Sequence, residues 1–245
     1  MMPLCSQVTE HKRMSNSDGQ AKRDPFRGCI IEMDTVALKG IQHLYSIIRD
    51  ELAKQNVKID EGLFARNLLG AYLDTGLNRI LQRTGRRTTP EMTQAIRSAY
   101  LEQLAATPIT ESDPIVALVQ GLSKKGIRVG LLTRLGADAA ATAFAPLLAL
   151  ENVMLICESQ AAWVGGFPWD VWRRAALTMQ MTDRLCAAIV TGAASCKAAL
   201  AASLPVVAIP NEMTDYQDFT GAHDCFDAID ETVLLAVLQT LRLAA

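Results

Sequence analysis

Short apolar runs, separated by longer amphipathic stretches, set the rhythm of this chain. "CII" at 29–31, "VGLL" at 129–132, "VMLIC" at 153–157, "CAAIV" at 186–190 and "VVAI" at 206–209 each have strand length and no polar alternation. Runs of that kind suit a parallel sheet buried on both faces. Between the later runs lie segments with helical spacing: "DPIVALVQGLSKKG", "DAAATAFAPLLAL", "DVWRRAALTMQM", "ASCKAALAASL" and "DETVLLAVLQTLRL". The first has Asp113 ahead of Pro114 at a first helical position and closes at Gly126. Strand and helix in alternation predict a doubly wound, Rossmann-like α/β fold with helices flanking the sheet.

One segment departs from this rhythm. Residues 41–110 carry helical periods and no strand pattern. "IQHLYSIIRDELAKQ" puts Ile41, Leu44, Ile47, Ile48 and Leu52 on one face, and "EGLFARNLLGAYLDTGLNRILQ" and "PEMTQAIRSAYLEQLAA" repeat the design. The organisation predicted is a core at 25–40 and 111–245 with an all-α cap inserted at 41–110. Residues 1–24 are polar, mixed in charge and without a period, which reads as a disordered tail, with Met14 an alternative start.

Composition narrows the function classes. The chain has 245 residues, half of them hydrophobic, and a formal net charge of −2, which argues against broad nucleic-acid binding by field alone. Arg79, Arg83, Arg86 and Arg87 read as a solvated helix end. Six cysteines form no C-x-x-C pair and no H-E-x-x-H occurs, so no zinc site is expected. No secretory apolar region opens the chain, and no apolar stretch reaches the roughly 18 residues a membrane span needs. The expectation is a cytoplasmic, reducing setting with no membrane and no nucleic-acid partner.

Candidate chemistry lies just after the apolar runs, because ligands of open parallel sheets bind beyond the carboxyl ends of the strands. Those positions hold Glu32 and Asp34, then Thr133 and Arg134, then Thr191 and Gly192. Each run then leads toward a helix N-terminus, whose free N–H groups favour an anion such as phosphate.

The order and spacing of "GCIIEMDTVALKG", the helical insert and "PIVALVQGLSKKGIRVGLLTRLG" resemble the haloacid dehalogenase superfamily. The likeness is to its helical-cap branch of small-metabolite phosphatases and β-phosphoglucomutase-like proteins, and runs from about residue 26 to the C-terminus. "AALAASLPVVAIPNEMTDYQDFTGAHDCFDAIDE" resembles the tail of the phosphoglucomutase-like members. The resemblance implies a nucleophilic aspartate at position 32, a general acid/base at Asp34, a phosphoryl-holding hydroxyl at Thr133, a lysine near "VGGFPWD" and a metal-binding aspartate after the fourth strand. Here Glu32 stands at the nucleophile position, Gly166 where the lysine belongs and Thr191 where the last aspartate belongs.

These departures weaken the chemistry together. An added methylene displaces the attacking oxygen by about 1 Å, a misplacement that can cost on the order of 10²-fold. Without the lysine and the last acid, little positive charge balances a phosphoryl group, although electrostatic stabilisation dominates such transfers. Two readings stand. The first is an impaired, pseudo-phosphatase protein that binds a small phosphorylated ligand or a protein partner and needs no cofactor. The second is an active Mg²⁺-dependent phosphatase or phosphomutase acting on a small phosphorylated metabolite, with Glu158 and Asp215 as acids that could complete the site. Plainer roles compete at each position. Glu32 pairs locally, Asp34 braces its loop, Thr133 precedes a helix, His43 is a satisfied histidine of the cap, and Trp163, Trp169 and Trp172 pack.

Overall fold

The computed structural model describes residues 27–158, 164–182 and 185–243, so the tail read at 1–24, and Trp163, lie outside the described residues. Strand β1 (Gly28–Glu32) enters a single helical turn, α1 (Met33–Val36). Four helices follow before the next strand: α2 (Gly40–Ala53), α3 (Glu61–Leu68), α4 (Leu73–Leu81) and α5 (Pro90–Ala105). Then come α6 (Pro114–Lys124), β2 (Arg128–Thr133), α7 (Ala137–Ala143), α8 (Ala145–Leu148) and β3 (Val153–Cys157). The chain closes with α9 (Trp169–Thr178), β4 (Cys186–Val190), α10 (Ala193–Ala201), β5 (Val206–Ala208), β6 (Asp224–Cys225) and α11 (Glu231–Leu243).

The six strands form one parallel sheet in the order β3-β2-β1-β4-β5-β6. From β1 the chain winds outward through β2 to β3, then crosses back to β4 and winds the other way. The reversal falls between β1 and β4, so Glu32, at the carboxyl end of β1, opens onto the crevice where such sheets take ligands.

Alternation along the strands divides the core into two layers. Ile30, Leu132, Ala188, Val190 and Val206 pack against Val171, Trp172 and Ala175 of α9 and Cys196 and Ala199 of α10. Cys29, Ile31, Val129, Leu131 and Ile189 face the other way, toward Val119 and Leu122 of α6 and Val233 and Val237 of α11. Gly130 is a close-approach point, since a Cβ there would meet Met179 Sδ at 2.6 Å. The second layer continues into the cap, where Ile41, Leu44, Ile48 and Leu52 of α2 are buried with Met92, Ile96, Tyr100 and Leu104 of α5. Asp60 accepts from Leu63 N at 2.6 Å and Thr89 accepts from Met92 N at 3.2 Å, which starts α3 and α5 where their sequences place cap residues.

Four local readings change. β3 is an edge strand rather than a doubly buried one, and Met154 is exposed. "DAAATAFAPLLAL" breaks at Phe144 into α7 and α8, because Pro146 cannot continue a helix and restarts one in its first turn. The stretch over 61–82 breaks at Gly70, whose φ of +76° is outside the helical range. Asp224 and Cys225, not read as a strand, extend the sheet beyond β5. Among the described residues no helix is long and apolar enough to cross a membrane.

Candidate active site

Asp34 sits in the first turn after β1, fully buried, and its carboxylate is saturated by groups from the end of β2. Thr133 Oγ1 donates to Asp34 Oδ1 at 2.6 Å, and the Arg134 backbone N–H donates to both oxygens at 3.3 and 3.2 Å. The Arg134 guanidinium completes the set with an ion pair at 2.9 Å. Arg134 is itself buried, its Nη2 donates to the carbonyl of Gly166, and its guanidinium lies 4.1 Å from the centroid of the Phe167 ring. Burial opposes its charge, but Asp34, Tyr100 and Glu32 outweigh that and hold its pKa above the ordinary value.

Glu32 is the counterpart of this satisfied pair. Both its carboxylate oxygens are buried without a hydrogen-bond partner of normal geometry. Burial, opposed by the nearby Ser195 hydroxyl and Arg134 and reinforced by Asp34, pushes its carboxyl up to about 7. Thr35 Oγ1 and Thr191 Oγ1 are likewise buried and unpartnered. The register pairs Ile31 with Ile189, so Glu32 and Thr191 end adjacent strands, while Glu32 pairs with Leu132 on the other side.

The third region is the turn before α9. A Cβ on Gly166 would stand 2.2 Å from Ser195 Oγ, so a hydroxyl of α10 fills the space where a lysine stem would begin. The same hydroxyl accepts from Phe167 N at 3.3 Å. Trp172 Nε1 donates to the Phe167 carbonyl at 3.2 Å, which ties the turn to the buried tryptophan.

Helices of the insert cover this crevice. Tyr100 of α5 is buried, and a Cβ on Gly40 would meet both its hydroxyl, at 2.5 Å, and the carbonyl of Asp34, at 2.4 Å. Burial raises the Tyr100 phenol, Asp34 adds to this and Arg134 opposes it, so the phenol stays neutral. The loop after α3 is clasped to the core by Gly70 N to Val164 O at 3.0 Å and Val164 N to Ala71 O at 2.9 Å.

Glu32, Asp34, Thr133, Arg134, Gly166 and Thr191 thus lie at neighbouring strand ends and the turn facing them. Ser195, Phe167 and Tyr100 join them without having been singled out in the sequence, where Tyr100 is one more residue of an apolar helical stripe. The two acids that could complete the site lie elsewhere. Glu158 is bidentate to Arg174, at 3.3 and 3.1 Å, and Asp215 is exposed. His43 is not satisfied as expected, because its Nε2 is buried without a partner, and burial, with Lys39, lowers its pKa. Arg79, Arg83, Arg86 and Arg87 are exposed, and Arg86 Nη1 caps the carbonyl of Gln55.

The residues present do not fit a divalent metal. Mg²⁺ requires oxygen ligands in near-octahedral array, usually one or two carboxylates with water and phosphate. Asp34 is already neutralised by Arg134, Thr191 offers a hydroxyl, and Glu32 alone keeps its oxygens uncommitted. Among the described residues no group of three or more His, Cys, Asp and Glu side chains is placed to hold a metal ion.

No family model matches the chain. No curated protein sequence matches it either. Solved structures do. A β-phosphoglucomutase from Clostridium difficile is similar with a TM-score of 0.69 and 16% identity, over 89% of this chain and 98% of that one. A phosphonoacetaldehyde hydrolase-like protein from Oleispira antarctica reaches 0.66 with 12% identity, over 89% and 95%. A haloacid dehalogenase family hydrolase from Deinococcus radiodurans, with bound phosphate and sodium, reaches 0.58 with 17% identity, over 89% and 97%. At such identities the likeness is one of fold. The chain has the fold of the haloacid dehalogenase superfamily, in the form taken by the β-phosphoglucomutases.

Proposed function

We propose that this chain is a phosphatase-fold protein of impaired catalysis, which acts in the cytoplasm by binding a small phosphorylated ligand or a protein partner without turning it over. The observation that supports it is the saturation of Asp34. The carboxylate at the general acid/base position accepts from Thr133 and is ion-paired to buried Arg134 at 2.9 Å. A group so held exchanges no proton with a leaving oxygen while the pair persists. Glu32 at the nucleophile position and Thr191 at the last acidic position point the same way. The exposed indole of Trp169, beside the turn carrying Gly166, offers a surface for a protein partner.

One observation favours the second reading, an active Mg²⁺-dependent phosphatase or phosphomutase. The Glu32 carboxyl is unpartnered at the end of β1, where a nucleophile would stand. A phosphate-release screen over aryl and sugar phosphates with Mg²⁺ separates the two. The impaired reading expects no release above background from the unmodified protein and none from Glu32→Asp. Mg²⁺-dependent release that Asp34→Asn abolishes would establish the second reading instead.

A further inference from the structure

The cleft has a resident cation of its own. The Arg134 guanidinium is buried among one carboxylate, one carbonyl and one ring face: Asp34 at 2.9 Å, the Gly166 oxygen and the Phe167 ring at 4.1 Å. Glu32 and Tyr100 also face it, and both favour its charge. The turn is shaped for this guest. Gly166 carries no side chain, Ser195 Oγ fills the space its Cβ would take, and the Gly166 carbonyl is left aimed at Nη2. Arginine suits such a place because its planar fork serves several acceptors at once and its rings-and-acceptors contacts survive desolvation.

We propose that Arg134 takes the place of a divalent metal in this cleft, neutralising Asp34 from within the chain, and that the cleft is receptive to Mg²⁺ only when this guanidinium is removed. The inference rests on the reading of the cleft as an impaired phosphatase site. It adds what stands where the metal would be and why the donor set cannot take one. A bound metal would have to share Asp34 with a buried positive charge, and both cations would lose by it.

The consequence is specific. Removing the guanidinium leaves Asp34 and Glu32 as two buried carboxylates at the end of β1, a donor pair of the kind Mg²⁺ accepts. The test is thermal unfolding of the full chain with and without millimolar Mg²⁺. The unmodified protein should show no Mg²⁺-dependent change in Tm. Arg134→Gln should unfold at lower temperature and regain several degrees with Mg²⁺, because a ligand that binds only the folded state stabilises it. Arg134→Gln with Asp34→Asn should lose that gain. A Mg²⁺-dependent rise in the unmodified protein, or a folded Arg134→Gln indifferent to Mg²⁺, overturns the proposal. Should Arg134→Gln fail to fold, the unmodified protein still decides by side-chain NMR. Slowly exchanging Arg134 guanidinium protons, unshifted by Mg²⁺, are expected, and their shift or loss on adding Mg²⁺ refutes it. Neither readout depends on turnover, so phosphate release by the unmodified protein would sink the impaired reading and leave these results to be judged separately.

Discussion

Asp34 and Arg134, a hundred positions apart in the chain, meet at 2.9 Å with both side chains withdrawn from solvent. A pair of this kind contributes little against an apolar replacement, yet either half alone is a buried, uncompensated charge. Arg134→Met is therefore expected to lower unfolding free energy by about 3–5 kcal/mol. The double variant with Asp34→Asn should recover a large part of that loss. Urea denaturation of the four proteins completes the cycle, and additive losses would show that the two groups do not act on each other.

Gly166 and Ser195 form a second interlocked pair. A Cβ on Gly166 would stand 2.2 Å from the Ser195 hydroxyl. Gly166→Ala should destabilise by about 1–3 kcal/mol, the usual cost of overpacking a tight core. Ser195→Gly in the same chain should return most of it by vacating the space. The pair also bears on any repair of catalysis, because Gly166→Lys meets the same obstacle. A melting temperature for Gly166→Ala equal to that of the parent would show that α10 yields without strain.

Glu32 makes stability depend on pH. Burial raises its folded-state carboxyl to about 7, well above the roughly 4.3 of an unfolded chain. Between those values the folded state binds the extra proton. The contribution of Glu32 is thus fully present below about pH 4 and is lost as pH rises through about 7. Loss of stability on the order of 3 kcal/mol is expected across that window. Glu32→Gln should remove most of this slope and be the more stable protein at pH 8. Parallel pH–stability curves for the two proteins would contradict it.

The clasp between the insert and the core turns on Gly70. Its φ is +76°, and a Cβ there would meet Ala194 Cβ at 2.9 Å, while its N–H donates to Val164 O at 3.0 Å. Gly70→Val faces both the backbone strain and the contact, since a β-branched residue is poorly tolerated at positive φ. The amide protons of Gly70 and Val164 are expected to exchange much faster in this variant, with the strands of the sheet still protected. Unchanged exchange at both amides would mean that the clasp is not held by these bonds.

Much of the architecture was legible in short-range pattern. Five apolar runs of strand length, and helical periods between them, gave the α/β layout, because burial on both faces removes the polar alternation a half-exposed strand would keep. The helices between β1 and β2 were legible from apolar spacing such as Ile41, Leu44, Ile48 and Leu52. Proximity of the candidate residues followed from one topological rule about strand ends. Other features depend on partners distant in sequence. That β3 lies at the edge, with Met154 exposed, is a fact of strand order and not of its composition.

The sequence by itself determined which residue types stand at the strand ends: a glutamate, an aspartate, two threonines, an arginine and a glycine. Only the tertiary structure decided what they do to one another. It turned Arg134 inward onto Asp34, set Ser195 in the space left by Gly166, and left Glu32 buried without a partner. The reason is physical. Periodicity reports which face of an element is buried, whereas the charge state and pairing of a buried group depend on the few atoms that fold around it from elsewhere in the chain.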